Sequence, residues 1–242
     1  LMYKPGKFNF RASYAAGFRT PTLSELYATD IAKKNDRLTI GNLDLKPEKN
    51  NYFSLSAEYV HERFSVSVNA FYNNIRDMID YNTIATGDKA MEQYGHKEVR
   101  QRDNIAEAKV HGINVSANAY LGAGFNLSGG YTHLNTQDVE LEQPIDKSIK
   151  NAYNINAQWA HSWKIYRLNI NLNGRFNSKR FSKSYGYAPE YQLWDLNTRH
   201  SFNLKSVIIE PGCGMENLFD YMDDRPYNSN YATLTPGRSF YI

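Results

Sequence analysis

The sequence predicts an all-β protein: a transmembrane antiparallel β-barrel, or a continuous portion of one. Three observations carry that reading. Apolar and polar residues alternate through about ten segments of the 242-residue chain. The links between those segments are alternately short and long, and aromatic side chains flank the short links.

In chain order, Phe8, Phe10, Ala12, Tyr14, Ala16 and Phe18 alternate with Lys7, Asn9, Arg11, Ser13, Ala15 and Gly17, so one face of a strand is apolar and the other wet. The pattern recurs at Phe53, Leu55, Ala57 and Tyr59, and at Phe64, Val66, Val68, Ala70 and Tyr72. Ile113, Val115, Ala117 and Ala119 form the next strand, and Phe125, Leu127, Gly129 and Tyr131 another. Tyr153, Ile155, Ala157 and Trp159 follow, then Tyr166, Leu168, Ile170 and Leu172. Weaker alternation marks Trp194 to Phe202, Val207 to Met215 and Arg238 to Ile242. The stronger segments approach the ~9–11 residues that carry a tilted strand across a membrane.

The links are short at His61-Glu62-Arg63, Leu121 to Gly124, Ser162 to Ile165 and Asn203 to Ser206, and long at 19–49, 82–99, 135–151, 177–188 and 218–236. Short turns on one side and long loops on the other are the outer-membrane barrel arrangement. Tyr59/Phe64, Tyr120/Phe125 and Trp159/Tyr166 flank the short turns, where an interfacial girdle belongs. A soluble β-sandwich shares the alternation. It does not suit a second face rich in Asn, Ser, Gln, Thr and Arg, which is costly to bury in an apolar core but fits a wet or plugged lumen. A bilayer tolerates no open sheet edge, so these strands either close alone or complete a larger barrel.

Composition removes other classes. Mean hydropathy is -0.64, and no run of about 18 apolar residues exists to span a bilayer as a helix. Aromatics make up 14% of the chain, with 19 Tyr and 12 Phe. A formal charge of +3, scattered over loops, argues against nucleic acid. Cys213 is the single cysteine and makes neither an internal disulfide nor a thiolate cluster. Leu1-Met2-Tyr3-Lys4-Pro5 lacks the pattern of a secretory signal, so an exported protein of this sequence is expected to have an upstream portion.

Four segments carry a family resemblance. Gly17-Phe18-Arg19-Thr20-Pro21-Thr22-Leu23-Ser24-Glu25-Leu26-Tyr27 opens the first long loop, and Gly41-Asn42-Leu43-Asp44-Leu45-Lys46-Pro47-Glu48 closes it. Asn104 to Gly112 precedes a long strand, and Glu216-Asn217-Leu218-Phe219-Asp220 with Pro236-Gly237-Arg238-Ser239-Phe240-Tyr241 forms a C-terminal pair. In this order they resemble the motifs of TonB-dependent outer-membrane receptors. Met78-Ile79-Asp80-Tyr81 and Leu193-Trp194-Asp195-Leu196 look closest to the cobalamin and haem receptor branch.

The resemblance implies a 22-stranded barrel of which residues 1–242 supply about the last ten strands, with a plug domain outside this chain. It implies active uptake of a scarce nutrient (cobalamin, haem or a ferric siderophore) energised by TonB through that plug. No enzyme activity and no cofactor are expected. The partners implied are the N-terminal strands and plug, outer-membrane lipid and lipopolysaccharide, the nutrient, and a surface lipoprotein if the receptor is a two-chain assembly. The final strand looks short for the family, ending at Ile242.

The motif residues read chiefly as architecture. Gly17 and Gly237 suit unusual backbone angles, Pro21, Pro47 and Pro236 stiffen the loop ends, and Asp44 or Glu48 can bond local backbone amides. Thr22 and Glu25 fit a capped helix. Ligand contact is expected from the loops. Lys179, Arg180, Phe181, Lys183, Tyr185 and Tyr187 combine cations with rings, and Tyr81, Tyr94, Arg100, Arg102, Tyr227 and Tyr231 bound other loops. No histidine lies between Gly17 and Glu48, where haem receptors commonly carry one, which leaves His96 as the loop histidine. His133 with Asp138 is the one loose hydrolytic constellation. The acidic pairs at Asp223-Asp224 and Asp138 to Glu142 lack a calcium-loop pattern.

Overall fold

The computed structural model describes residues 1–182, 186–223 and 236–242. Its elements are β1 (Met2–Tyr3), β2 (Phe8–Arg19), α1 (Leu23–Tyr27), β3 (Thr29–Ala32), β4 (Arg37–Ile40), β5 (Glu48–Val60), β6 (Phe64–Thr86), α2 (Gly87–Tyr94), β7 (Glu98–Gly122), β8 (Phe125–Asp138), β9 (Asn151–Trp163), β10 (Tyr166–Asn177), β11 (Arg180–Ser182), β12 (Gly186–Ala188), β13 (Tyr191–Leu204), β14 (Val207–Ile209), β15 (Gly212–Glu216) and β16 (Ser239–Tyr241).

One sheet runs in the order β1-β2-β5-β6-β7-β8-β9-β10-β13-β15-β16, each strand antiparallel to the next. Because strand side chains alternate, register decides whether apolar faces line up across the sheet. Here they do. Phe8, Tyr59, Val66, Ala117, Gly129, Ile155, Gly174 and Trp194 are successive cross-strand partners. The opposite face carries the row Asn9, Glu58, Ser67, Ser116, Gly130, Asn154, Arg175 and Leu193.

The two faces hold themselves together differently. Rings meet on the apolar face, as in Tyr14–Phe53 at 4.7 Å and Tyr131–Tyr153 at 4.6 Å between centroids. On the polar face Asn156 donates to Asn171 at 2.7 Å and to Asn173 at 2.6 Å, while Ser67 and Ser116 share a bond of 2.7 Å. The apolar face lies open, with Phe18 76% and Leu55 66% exposed. Such a surface does not belong in water.

The buried apolar residues among those described are Ile79, Ala90, Val99 and Ala108 around β6, α2 and β7, with Ala188 in β12 and Leu193 near the start of β13. Packing among the described residues is therefore concentrated at the long-loop end. There the loops are more ordered than the alternation indicates. β6 and β7 extend to Thr86 and from Glu98, so the expected 82–99 loop shrinks to α2 and its flanks. Segment 19–49 holds α1, β3 and β4, and β4 joins β7 in parallel, the one parallel pairing described. Residues 177–188 include the β11–β12 hairpin. The expected strand from Val207 to Met215 is two pieces, β14 and β15, parted at Glu210-Pro211, where proline cannot donate to a ladder.

Candidate functional site

Three groupings occupy the long-loop end. The first is a brace around Arg19. This residue closes β2 directly opposite Glu48, the first residue of β5. Its guanidinium donates to both Glu48 oxygens, at 2.7 and 2.5 Å, and to both Glu25 oxygens, at 3.0 and 3.2 Å. A planar five-donor fork suits two carboxylates at once, as a lysine would not. Glu25 also accepts from the Thr22 amide at 2.8 Å, and the Thr22 hydroxyl accepts from the Glu25 amide, completing a capping box on α1. The Arg19 guanidinium holds the Glu25 carboxyl down at about 2, the largest cause being that side-chain hydrogen bond. Glu48 reaches further, accepting from the Ile79 amide of β6 at 2.9 Å.

Asn104 extends the brace. Its side chain accepts from the Lys46 amide at 2.7 Å and donates to the Lys46 and Asp77 carbonyls at 2.9 and 2.6 Å. The expected boxes at 17–27 and 41–48 and the Asn104 segment thus converge as one structural unit. Leu45 is half-buried beside Lys46, whereas Phe18, Pro47 and Tyr27 are exposed and Pro21 is half-buried. Glu48 takes its backbone amide from a distant strand and not locally. Asp44 contributes its own amide, which donates to the Asn42 side chain at 2.9 Å.

The second grouping is the C-terminal motif. Asn217 is 5% exposed with φ of 52°. Its side chain donates to the Tyr221 and Pro236 carbonyls at 2.7 and 3.3 Å and accepts from the Tyr221 amide at 2.8 Å. Its own amide donates to Asp195 at 3.0 Å, and Asp220 accepts from the Arg238 amide at 2.7 Å. Glu216 accepts from Ser239, and Phe219 lies edge-on to Trp194 at 6.4 Å. Gly17 and Gly237 do not use left-handed backbone, contrary to expectation. At Gly237 the need is space, since a Cβ would lie 2.9 Å from the Asp220 carboxylate; Gly17 has open surroundings and no such need.

The third grouping is cationic and aromatic. Arg102 lies over the Tyr81 ring, 3.6 Å from its centroid, and donates to the Tyr81 hydroxyl at 2.5 Å. The two are cross-strand partners. Arg100 donates to Glu98 at 2.5 Å, and the parallel ladder pairs Arg37 with Glu98 and Thr39 with Arg100, so Arg37, Arg100 and Arg102 share one face. The Arg37 Nε is buried with no hydrogen-bond partner. Sequence reasoning missed Arg37, because nothing local marks a parallel pairing between residues about 60 apart.

Other candidates lie apart. Tyr94 is half-buried on α2, and Arg180 sits in the β11–β12 hairpin with Tyr187, whose ring meets Phe181 at 5.3 Å. Lys183, Tyr185, Asp224, Tyr227 and Tyr231 lie outside the described residues. The Nδ1 of His96 faces Asp36 at 2.9 Å, and that side-chain hydrogen bond holds the Asp36 carboxyl below its ordinary value. His133 pairs with Asn151 at 2.8 Å, while Asp138 accepts from the Leu141 amide, so the hydrolytic pairing is not assembled. No group of three or more metal-ligating side chains occurs among the described residues.

Comparison with known proteins matches this arrangement at the level of family and fold. Residues 1–218 match the family model described as TonB dependent receptor-like, beta-barrel. The chain therefore belongs to the TonB-dependent receptor β-barrel family, whose members are transporters and not enzymes. Among solved structures, a mutant of the ferric enterobactin receptor PfeA of Pseudomonas aeruginosa superposes with a TM-score of 0.75 at 19% identity, over 98% of this chain and 37% of that one. The copper transporter OprC gives 0.71 at 14% identity, over 99% and 37%. The ferric preacinetobactin receptor BauA of Acinetobacter baumannii gives 0.71 at 15%, over 99% and 34%. At these identities the likeness concerns the fold. The chain spans under two fifths of the length of these solved relatives, which are siderophore and copper proteins and do not single out the cobalamin and haem branch.

Proposed function

We propose that this chain is the C-terminal wall and loop set of an outer-membrane import receptor, supplying about the last ten of 22 strands. The single observation that carries this reading is the register-matched apolar face, open across β2 to β13, backed by a face of Asn, Ser and Arg. A sheet with those two faces fits between lipid and a wet lumen. On this reading the short turns lie in the periplasm and the long loops outside the cell. A plug and N-terminal strands complete the barrel, and TonB drives transport through the plug.

The cargo class is narrowed by Arg37, Arg100 and Arg102 beside Tyr81. Three guanidinium groups on one face, one of them stacked on a phenol, suit an anionic ligand that carries rings. Among cobalamin, haem and ferric siderophores, that chemistry favours a ferric siderophore with aromatic chelating arms. The test is uptake by cells lacking the parent gene. Loss of ferric siderophore uptake, with cobalamin and haem uptake retained, supports the assignment. Unchanged uptake of all three overturns the import reading.

A further inference from the structure

Charge is divided unevenly between the two ends of the sheet. Lys4, Lys7, Arg63, Lys164 and Lys205 stand exposed in the short turns, with no ion-pair partner among the described residues. The described acids at that end are Glu58, Glu62 and Glu210. Glu58 accepts from Asn9 at 3.0 Å, and Glu210 accepts from Ser201 at 2.5 Å. The remaining described carboxylates lie toward the long loops. The short-turn rim is therefore a band of free positive charge.

One part of that rim is more than charged. The turns Lys164-Ile165 and Lys205-Ser206 are neighbours, tied by the Asn203 amide donating to the Ile165 carbonyl at 2.8 Å. On the apolar face beside them Trp163, Tyr166 and Phe202 form one cross-strand row. Trp163 stacks on Tyr166 at 5.4 Å, and Tyr166 meets Phe202 at 5.0 Å. The next row is His161, Leu168 and His200. His200 is satisfied, with Nδ1 2.7 Å from the Tyr166 hydroxyl and Nε2 3.3 Å from Thr198. His161 stacks on Trp159 at 5.9 Å and meets Trp163 edge-on at 4.5 Å. It is exposed on this face, and its ring nitrogens have no hydrogen-bond partner among the described residues. An imidazole facing hydrocarbon without a partner is costly, so His161 belongs at the depth where lipid headgroups supply one.

We propose that the outer wall of β9, β10 and β13 at the short-turn end binds an anionic phospholipid headgroup of the inner leaflet. Lys164 and Lys205 take the phosphate charge, the Trp163–Tyr166–Phe202 row sits at the glycerol level, and His161 supplies a further polar contact. The proposal rests on the reading that the short turns face the periplasm. Charge complementarity selects the lipid: free cations flank an apolar, ring-lined wall, whereas an acidic soluble protein needs only the cations.

The experiment uses the full receptor in nanodiscs of phosphatidylethanolamine with or without phosphatidylglycerol. Lipids retained on release are counted by native mass spectrometry. For Lys164→Gln/Lys205→Gln, retention of phosphatidylglycerol relative to phosphatidylethanolamine is expected to fall about tenfold, at roughly a fivefold loss per surface lysine before screening. The Lys164→Arg/Lys205→Arg receptor is expected to keep it, which separates charge from folding. Equal phosphatidylglycerol retention by wild type and the Gln variant overturns the proposal, as does complete displacement of the lipid by inorganic phosphate. A single-cysteine Lys164→Cys receptor, with Cys213→Ser, separates the underlying reading. Labelling by an impermeant maleimide in intact cells means the short turns are not periplasmic. Labelling only after permeabilisation, together with unchanged lipid retention, means the topology holds and the lipid site does not.

Discussion

Arg19 and Glu48 stand opposite each other at the top of the β2–β5 ladder and are joined by two hydrogen bonds, of 2.7 and 2.5 Å. That pair fixes the mouth of a loop of nearly thirty residues, because Arg19 also grips α1 through Glu25 and Glu48 also holds the backbone of β6 at Ile79. The motif acts as a joint between loop and wall. Arg19→Gln is expected to free residues 20–47 while leaving the barrel folded. Its side chain is 43% exposed, so solvent screening keeps the loss to about 1–2 kcal/mol. Hydrogen exchange in the first loop should then rise roughly tenfold, with exchange in β8 to β10 unchanged. Equal protection in the first loop would remove Arg19 from this role.

Glu25 makes the same joint sensitive to acid. Its carboxyl lies at about 2, against an ordinary 4.5. A depressed carboxylate favours the folded loop at pH above 4.5, and that contribution is lost as pH falls toward 2. First-loop protection is therefore expected to be flat from pH 7 to 5 and to decline from 4.5 to 2. Arg19→Gln should abolish the decline, and a persisting decline would assign it to another group.

Asn217 provides a stability test at the far end of the chain. It combines near-complete burial, a left-handed backbone and three side-chain hydrogen bonds. Asn217→Ala loses the bonds and strains the backbone, for a cost of about 3 kcal/mol. Asn217→Gly loses the same bonds but relaxes the backbone, and should be milder by about 1 kcal/mol. Denaturation midpoints of the two variants in detergent decide this. An Ala variant as stable as the Gly variant would show that φ at this position carries no strain.

The legible part of the fold was the part with one apolar and one polar face. A strand with two different faces must alternate strictly, so Phe8 to Phe18 and Tyr166 to Leu172 announce both element and face. Toward the long loops that constraint lapses. β4 pairs with β7 through contacts remote in sequence, and the extensions of β6 and β7 mix charges with apolar residues, so neither carries a period. The same holds for the site. Arg19, Glu25 and Glu48 were readable as motif residues, but their mutual grip depends on register between separate strands. Asn104 stood inside a recognised segment, yet its three backbone contacts come from two other parts of the chain. Arg102 and Tyr81 were visible as loop-bounding residues. They meet because the β6–β7 ladder returns to its lower register after two irregularities, between Ile75 and Ile79.

That meeting gives the most direct test of ligand capture. If Arg102 serves the cargo, Arg102→Ala in the full receptor should weaken binding of a ferric catecholate siderophore by roughly tenfold or more, as expected for loss of a charge-assisted contact. Tyr81→Phe keeps the ring under the guanidinium and removes only the hydroxyl that Arg102 engages at 2.5 Å. Its effect should be smaller, within about threefold, because the cation–π contact at 3.6 Å remains. Arg100 is already paired with Glu98, so Arg100→Ala should fall between the two. Titration of the three variants with ferric catecholate, following quenching of tryptophan fluorescence, orders them. If Arg102→Ala and Tyr81→Phe both bind as tightly as wild type, the pair is a strut for the β6–β7 extension, and the cargo contacts lie on other loops.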